Sequence, residues 1–402
     1  MQKPQLAYIS FDVVPAPKGA AIHIAAFSRA LAANLGNIEL VTVSPTAART
    51  DNHEIFPQVM QTMLPALGGN LISRVLYFQN ILGKWLKDRQ FTAIHIRSIY
   101  EGFLIALHKH QYCQQLIFEV NGLPSIELKY RYPGVAEDRE LLHKLHTQEQ
   151  VCLVAADLII TPSHITAGYL QTRNVPANKI RVIPNGVDLD VFTNHHLQHI
   201  LPGNSQNICI KMIYFGTLSP WQGVNLAIEA LELVNKDLPA NLTVIGQGKD
   251  YQIKKLKQLA FKLGIADKLT ILEPISQTQL VEYIHDSDII LAPLIPSDRN
   301  LVQGCCPLKI LEGMATGVPV IASDLPVVRE LGEDTVHFLL VKPGSAKAIK
   351  DAVLQLSNDK ELASQLAKNA RQQIENNYTW ERAGKALTTA YTELGIKRLS
   401  KS

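Results

Sequence analysis

Two hydrophobic patterns take turns along this chain. Short, nearly continuous apolar runs alternate with longer stretches in which apolar residues return every three or four positions. The first pattern predicts buried β-strands and the second predicts amphipathic helices. In the first half the candidate strands are Leu6–Phe11, Ile38–Val43, Ala93–Ile96, Leu116–Glu119, Leu158–Thr161 and Ile180–Ile183, with helices over stretches such as Ala20–Leu35 and Leu71–Lys87. A second set runs Ile210–Phe215, Leu242–Ile245, Leu269–Leu272, Ile289–Pro293, Val318–Ala322 and Phe338–Val341, and a last helix is expected from Trp380 to Leu394. Strands alternating with helices predict an α/β fold with parallel sheets.

The alternation runs through two rounds, joined near Pro184-Asn185-Gly186-Val187-Asp188. The stretch from Asn194 to Asn207 is polar and rich in His and Asn, and reads as a surface connection. Two Rossmann-like domains facing across a cleft are the simplest architecture. Ligands in such sheets bind outside the carboxyl ends of the strands.

Bulk composition narrows the class. At 402 residues the chain is too long for one ordinary core, and 47% hydrophobic with 19% charged residues is a globular balance. A net charge of +3 gives no argument for nucleic acid, and no nucleic-acid-binding signature is present. The five cysteines (Cys113, Cys152, Cys209, Cys305, Cys306) show no C-x-x-C spacing, so neither a metal site nor a disulfide framework is expected. Gln5-Leu6-Ala7-Tyr8-Ile9-Ser10 reads as a first strand rather than a signal peptide, and the expectation is a cytoplasmic protein.

The richest stretch runs from Gly304 to Ser323. Pro307 opens a short helix carrying Lys309 and Glu312 one turn apart, and an apolar strand follows. The first N–H groups of a helix lack partners and its dipole favours negative charge there, so this start is a natural anion site. A lysine in a first turn is disfavoured unless an anion is bound. Glu312 can accept hydrogen bonds from hydroxyls beside that anion. A nucleotide sugar fits: diphosphate on the amides, ribose on the carboxylate.

Wider agreement surrounds this stretch. Ala155-Ala156-Asp157-Leu158-Ile159-Ile160-Thr161-Pro162-Ser163, Lys179-Ile180-Arg181-Val182-Ile183-Pro184-Asn185-Gly186-Val187-Asp188, Gly216-Thr217-Leu218-Ser219-Pro220-Trp221-Gln222-Gly223-Val224 and Val244-Ile245-Gly246-Gln247-Gly248 follow in order, with Val328-Arg329-Glu330-Leu331 after the opening stretch. Looser agreement covers Pro17-Lys18-Gly19-Ala20-Ala21-Ile22-His23 and Phe118-Glu119-Val120-Asn121-Gly122. The chain resembles the retaining glycosyltransferases of family 4, with the GT-B fold.

The resemblance implies sugar transfer from a nucleotide donor to a glycan or lipid-linked acceptor, with retention of anomeric configuration, no metal and no cofactor beyond the nucleotide sugar. It implies an acceptor-side domain over 1–190, a donor domain over 191–378 and a helix over 379–402 returning to the first domain. Cell-surface glycan assembly is the setting it suggests. Lys309, Glu312 and Asn121 would be the catalytic group. Gly216, Thr217, Gln222, Gly246, Pro274, Ile275, Cys305, Cys306, Pro307 and Leu308 would line the donor, and Lys18, Gly19 and Ala20 the acceptor side.

The departures matter as much. Family members usually carry an Arg and a Lys where this chain has Thr217 and Gln222, and a Glu where it has Gly304. Lys309 would compensate for the missing cations, and the amides of Cys305 and Cys306 for the missing Glu. Asn121 stands where many relatives have His, and it can hydrogen-bond a sugar hydroxyl without acting as a base. Glu119 is a buried anchor or a site residue; His23 is a packing or capping residue rather than a catalyst; Trp221 stacks on a ring or covers the cleft floor. The helix Leu71–Lys87, edged by Arg74, Lys84, Lys87 and Arg89, either faces the core or makes a peripheral membrane contact. The base is left open among uracil, guanine and adenine. With three charged groups absent, a weak or inactive GT-B protein that binds nucleotide or glycan is the alternative.

Overall fold

The computed structural model of the protein describes residues 6–16, 18–194 and 209–397. Pro17 and nearly all of the His- and Asn-rich stretch lie outside the described residues. The chain divides into two compact units, Met1–Pro184 with Trp380–Ser402, and Asn185–Thr379.

The first unit carries β1 (Leu6–Ile9), β2 (Ile38–Val43), β3 (Thr50–Phe56), β4 (Val59–Leu64), β5 (Phe91–Ile96), β6 (Cys113–Glu119), β7 (Leu158–Thr161) and β8 (Ile180–Val182). They form one sheet in the order β3-β4-β2-β1-β5-β6-β7-β8, parallel except where β3 runs antiparallel to β4. The hairpin β3–β4 was not among the expected strands. β3 is exposed or half-buried along its whole length and its residues are mostly polar, so it shows no apolar run; as an edge strand it needs none. Burial on both faces explains why β1 reads as a continuous apolar run and why β2 is interrupted only by the buried Glu39 and Thr42.

The helix Trp380–Glu393 belongs to this unit. It packs against Gly19–Leu35, and a Cβ at Gly384 would stand 2.7 Å from the Ala30 methyl, so the two backbones approach closely. Leu387 and Tyr391 are fully buried with Phe27 and Leu31 in the same core.

The second unit contains β9 (Ile210–Phe215), β10 (Ala240–Ile245), β11 (Leu269–Leu272), β12 (Ile289–Ala292), β13 (Val320–Ser323) and β14 (Leu339–Val341). Their order is β11-β10-β9-β12-β13-β14, with every recorded pairing parallel. This is the doubly wound order. The chain leaves β9 toward one edge and returns at β12 toward the other, which opens a crevice beyond the carboxyl ends of those two strands.

Candidate nucleotide-sugar site

Gly216 ends β9 at φ +126°, a conformation that L side chains rarely adopt. A Cβ there would stand 3.1 Å from Cε and Nζ of Lys309, so the glycine leaves room for that lysine. Its neighbour Tyr214 points its ring at the same place. The Lys309 ammonium lies 3.8 Å from the ring centroid, and the Tyr214 hydroxyl donates to the Thr217 carbonyl at 2.6 Å. One aromatic residue therefore supports the cation and anchors the loop after β9.

Lys309 occupies the first turn of the helix Leu308–Ala315, whose start at Pro307 has no side-chain cap. Only 7% of the lysine is exposed, and Nζ has no hydrogen-bond partner. It is not the solvated lysine that a polar residue on a short helix would ordinarily be. Burial drives its ammonium well below the ordinary lysine range; Glu312 pulls the other way, while the charge of Arg299 adds to the lowering.

Glu312, one turn on, is half-buried. Burial raises its carboxyl from 4.5 to about 7, against a hydrogen bond from Gln277 and the attraction of Lys309. Gln277 begins the helix after β11, so Glu312 faces the loop that carries the exposed Pro274 and half-buried Ile275.

Gly304 has φ +84° and is buried. The backbone there demands glycine, which gives a physical reason for the absent Glu. The next two residues, Cys305 and Cys306, are buried, and burial pushes the Cys306 thiol up to about 12, so it is inert as a nucleophile. Asn185 Nδ2 donates to the Cys306 carbonyl at 2.8 Å and fixes this peptide just ahead of the helix start. Gly246 lies against the Gly216 carbonyl, where a Cβ would collide with it. Thr217 is exposed and Gln222 half-buried. Gly216, Gly246, Lys309 and Tyr214 are therefore brought into one site, with Glu312 beside it. Tyr214, Asn185 and Gln277 belong there too. The sequence pattern had shown Tyr214 only as a strand residue and Asn185 only as part of a joint, and it had given no signal for Gln277.

Asn121 belongs to the first unit, at the end of β6. Its Nδ2 donates to Glu119, which is fully buried. The same carboxylate accepts from the Tyr8 hydroxyl at 2.7 Å and from Arg97 Nε at 3.0 Å, and meets His23 Nε2 at 2.8 Å and His95 Nε2 at 2.9 Å. Burial alone would raise Glu119, but His23, Arg97 and these hydrogen bonds hold it well below the usual carboxylate range. His95 is pushed down by burial more than its Glu119 contacts raise it, so it is neutral. A carboxylate only accepts, so His95 Nε2 carries the proton and Nδ1 accepts from the Tyr391 hydroxyl at 2.6 Å. His23 is thus a network member as well as a packing residue, and Glu119 is the anchor of Asn121. Lys18 and Gly19 are exposed and Ala20 half-buried at the start of the first helix.

On the helix Leu71–Leu86 the expected basic edge is thinner than four residues. Trp85 is buried, Arg89 lies over its ring and pairs with Glu39, and Arg74 donates to the Ala66 carbonyl. Lys84 and Lys87 remain exposed. Among the described residues no helix is long and apolar enough to cross a membrane.

Two parallel-sheet α/β units, the second with a crevice built around a glycine, a buried lysine and a carboxylate, define a glycosyltransferase of the GT-B class. The sequence comparisons agree: residues 17–191 match the profile described as Glycosyltransferase Family 4 and residues 206–373 that of Glycosyl transferases group 1. The chain belongs to the family 4, group 1 glycosyltransferases. It is 21% identical to a D-inositol 3-phosphate glycosyltransferase of Xylanimonas cellulosilytica over 98% of both chains. Its fold is that of sucrose-phosphate synthase from Thermosynechococcus elongatus (TM-score 0.79, 21% identity, 98% of this chain and 99% of that one). Anabaena HepE, solved in complex with UDP and glucose, is similar over 97% of this chain and 100% of its own (TM-score 0.72, 15% identity).

Proposed function

We propose that the second unit binds a nucleoside diphosphate sugar and that the enzyme transfers the hexose, with retention and without a metal ion, to a glycan or lipid-linked acceptor. One observation carries this reading: Lys309 is a buried cation with no hydrogen-bond partner, at an uncapped helix start. Holding a charge on this buried amine is costly, with only Glu312 to oppose the cost, and an arriving diphosphate removes it. The helix amides and the ammonium then hold the negative charge that grows as the donor bond breaks, the role that a divalent cation has in other transferases. Glu312 accepts from the ribose hydroxyls. HepE, with its bound UDP, supports a uridine nucleotide as the first candidate.

In the transfer, the bond from the anomeric carbon to the diphosphate oxygen breaks and a bond to the acceptor oxygen forms on the same face. The acceptor's proton goes to the departing phosphate oxygen. No protein base is required at Asn121, whose amide Nδ2 donates to Glu119 and whose side-chain carbonyl is still able to accept from a hydroxyl.

The test is a thermal-shift panel of UDP, GDP and ADP on the wild type and on Lys309→Met. The wild type should be stabilised by one of the three, with the shift lost in the variant. No stabilisation of the wild type at saturating nucleotide overturns the reading. Undiminished activity in EDTA checks metal independence.

A further inference from the structure

We propose that Arg299 is the second cation of the diphosphate site, supplied by the loop after β12 in place of side chains at Thr217 and Gln222. This rests on the reading that the second unit binds a nucleoside diphosphate.

The crevice of a doubly wound sheet is bounded by the loops after its two diverging strands, here β9 and β12. These loops are stitched together. Ile295 N donates to the Trp221 carbonyl at 3.1 Å, and Asn300 Nδ2 donates to the carbonyls of Trp221 and Ile295 at 3.3 and 2.8 Å. Gly223, at φ +72°, passes so near the Pro293 carbonyl that a Cβ would collide with it. The loops after β9 and β12 are therefore held together as one wall beside the crevice.

Arg299 begins a short π-helical turn, Arg299–Gln303, closed by a hydrogen bond from Gly304 N to the Arg299 carbonyl at 3.0 Å. Its guanidinium lies 5.5 Å from the centroid of the Trp221 ring, next to Gln222. It is near enough to Lys309 for its charge to disfavour the ammonium. Two cations converge on one crevice, the buried one at the helix start and the half-buried one on the outer loop. A two-phosphate anion offers separate oxygens to both. The planar guanidinium, lying over the Trp221 ring, suits paired hydrogen bonds to phosphate oxygens.

The test compares wild type, Arg299→Gln and Arg299→Lys by calorimetric binding of the nucleoside diphosphate that stabilises the wild type and of the matched nucleoside. Arg299→Gln should weaken the diphosphate at least tenfold, leave nucleoside affinity and the ligand-free melting temperature unchanged, and flatten the salt dependence of diphosphate binding. Arg299→Lys should recover part of the loss. If Arg299→Gln binds the diphosphate as the wild type does, the inference fails while the donor-site reading stands. An equal loss of nucleoside and diphosphate, or a lower ligand-free melting temperature, overturns it in favour of a purely structural role. A wild type that binds no nucleotide removes the donor-site reading itself.

Discussion

The hydroxyl of Tyr214 holds the Thr217 carbonyl at 2.6 Å while the ring of the same residue supports the Lys309 ammonium at 3.8 Å. Replacing Tyr214 with Phe keeps the platform and removes the anchor. A fall in stability of about 1 kcal/mol, the net worth of one hydrogen bond, should appear in urea unfolding. Tyr214→Leu also removes the cation–π contact and should weaken nucleotide binding further, read by calorimetry.

Gly304 cannot be restored to the residue that relatives carry. At φ +84° and ψ 164°, a region populated almost only by glycine, a Glu costs about 1–3 kcal/mol in backbone strain alone. Gly304→Glu is expected to lower the melting temperature and to bring no gain in transferase activity. A gain in activity with unchanged stability would contradict this account of the departure.

Glu312 makes the ligand-free protein sensitive to pH. Its folded carboxyl stands at about 7 against an ordinary 4.5, so the native state holds a proton that the unfolded chain gives up. The stability tied to this group is fully present below pH 4.5 and is lost as the pH rises through about 7. Glu312→Gln should flatten that part of the stability profile between pH 5 and 8, measured by denaturant titration without nucleotide.

Glu119 is the anion of a buried cluster, and removing it leaves Arg97 without its buried partner. Glu119→Gln should cost roughly 3–5 kcal/mol, enough to unfold a marginal protein. Tyr391→Phe removes only the hydroxyl that reaches His95 from the last helix, and should cost about 1 kcal/mol. Guanidinium unfolding of both variants separates the two outcomes.

Much of the fold was legible in the pattern of residues. β2, β7, β9 and β11 fall on the expected positions to the residue; the first three are buried on both faces, or nearly so, and such strands leave mostly apolar runs, while the half-buried edge strand β11 still keeps three apolar residues of four. The polar edge strand β3 left no such trace, and in its interior partner β4 the run is broken by the buried Gln61 and Thr62. The helix start at Pro307, with Lys309 and Glu312 one turn apart, was also readable, since helix punctuation is local chemistry. The sequence by itself thus determined the α/β class and the helix start that carries Lys309 and Glu312. Only the tertiary structure decided that Lys309 is buried on Tyr214, that Gly304 is required by its φ, and that Arg299, on the loop after β12, lies over Trp221. Those facts depend on strand order and on contacts between segments distant in the chain, and no local pattern of residues encodes them.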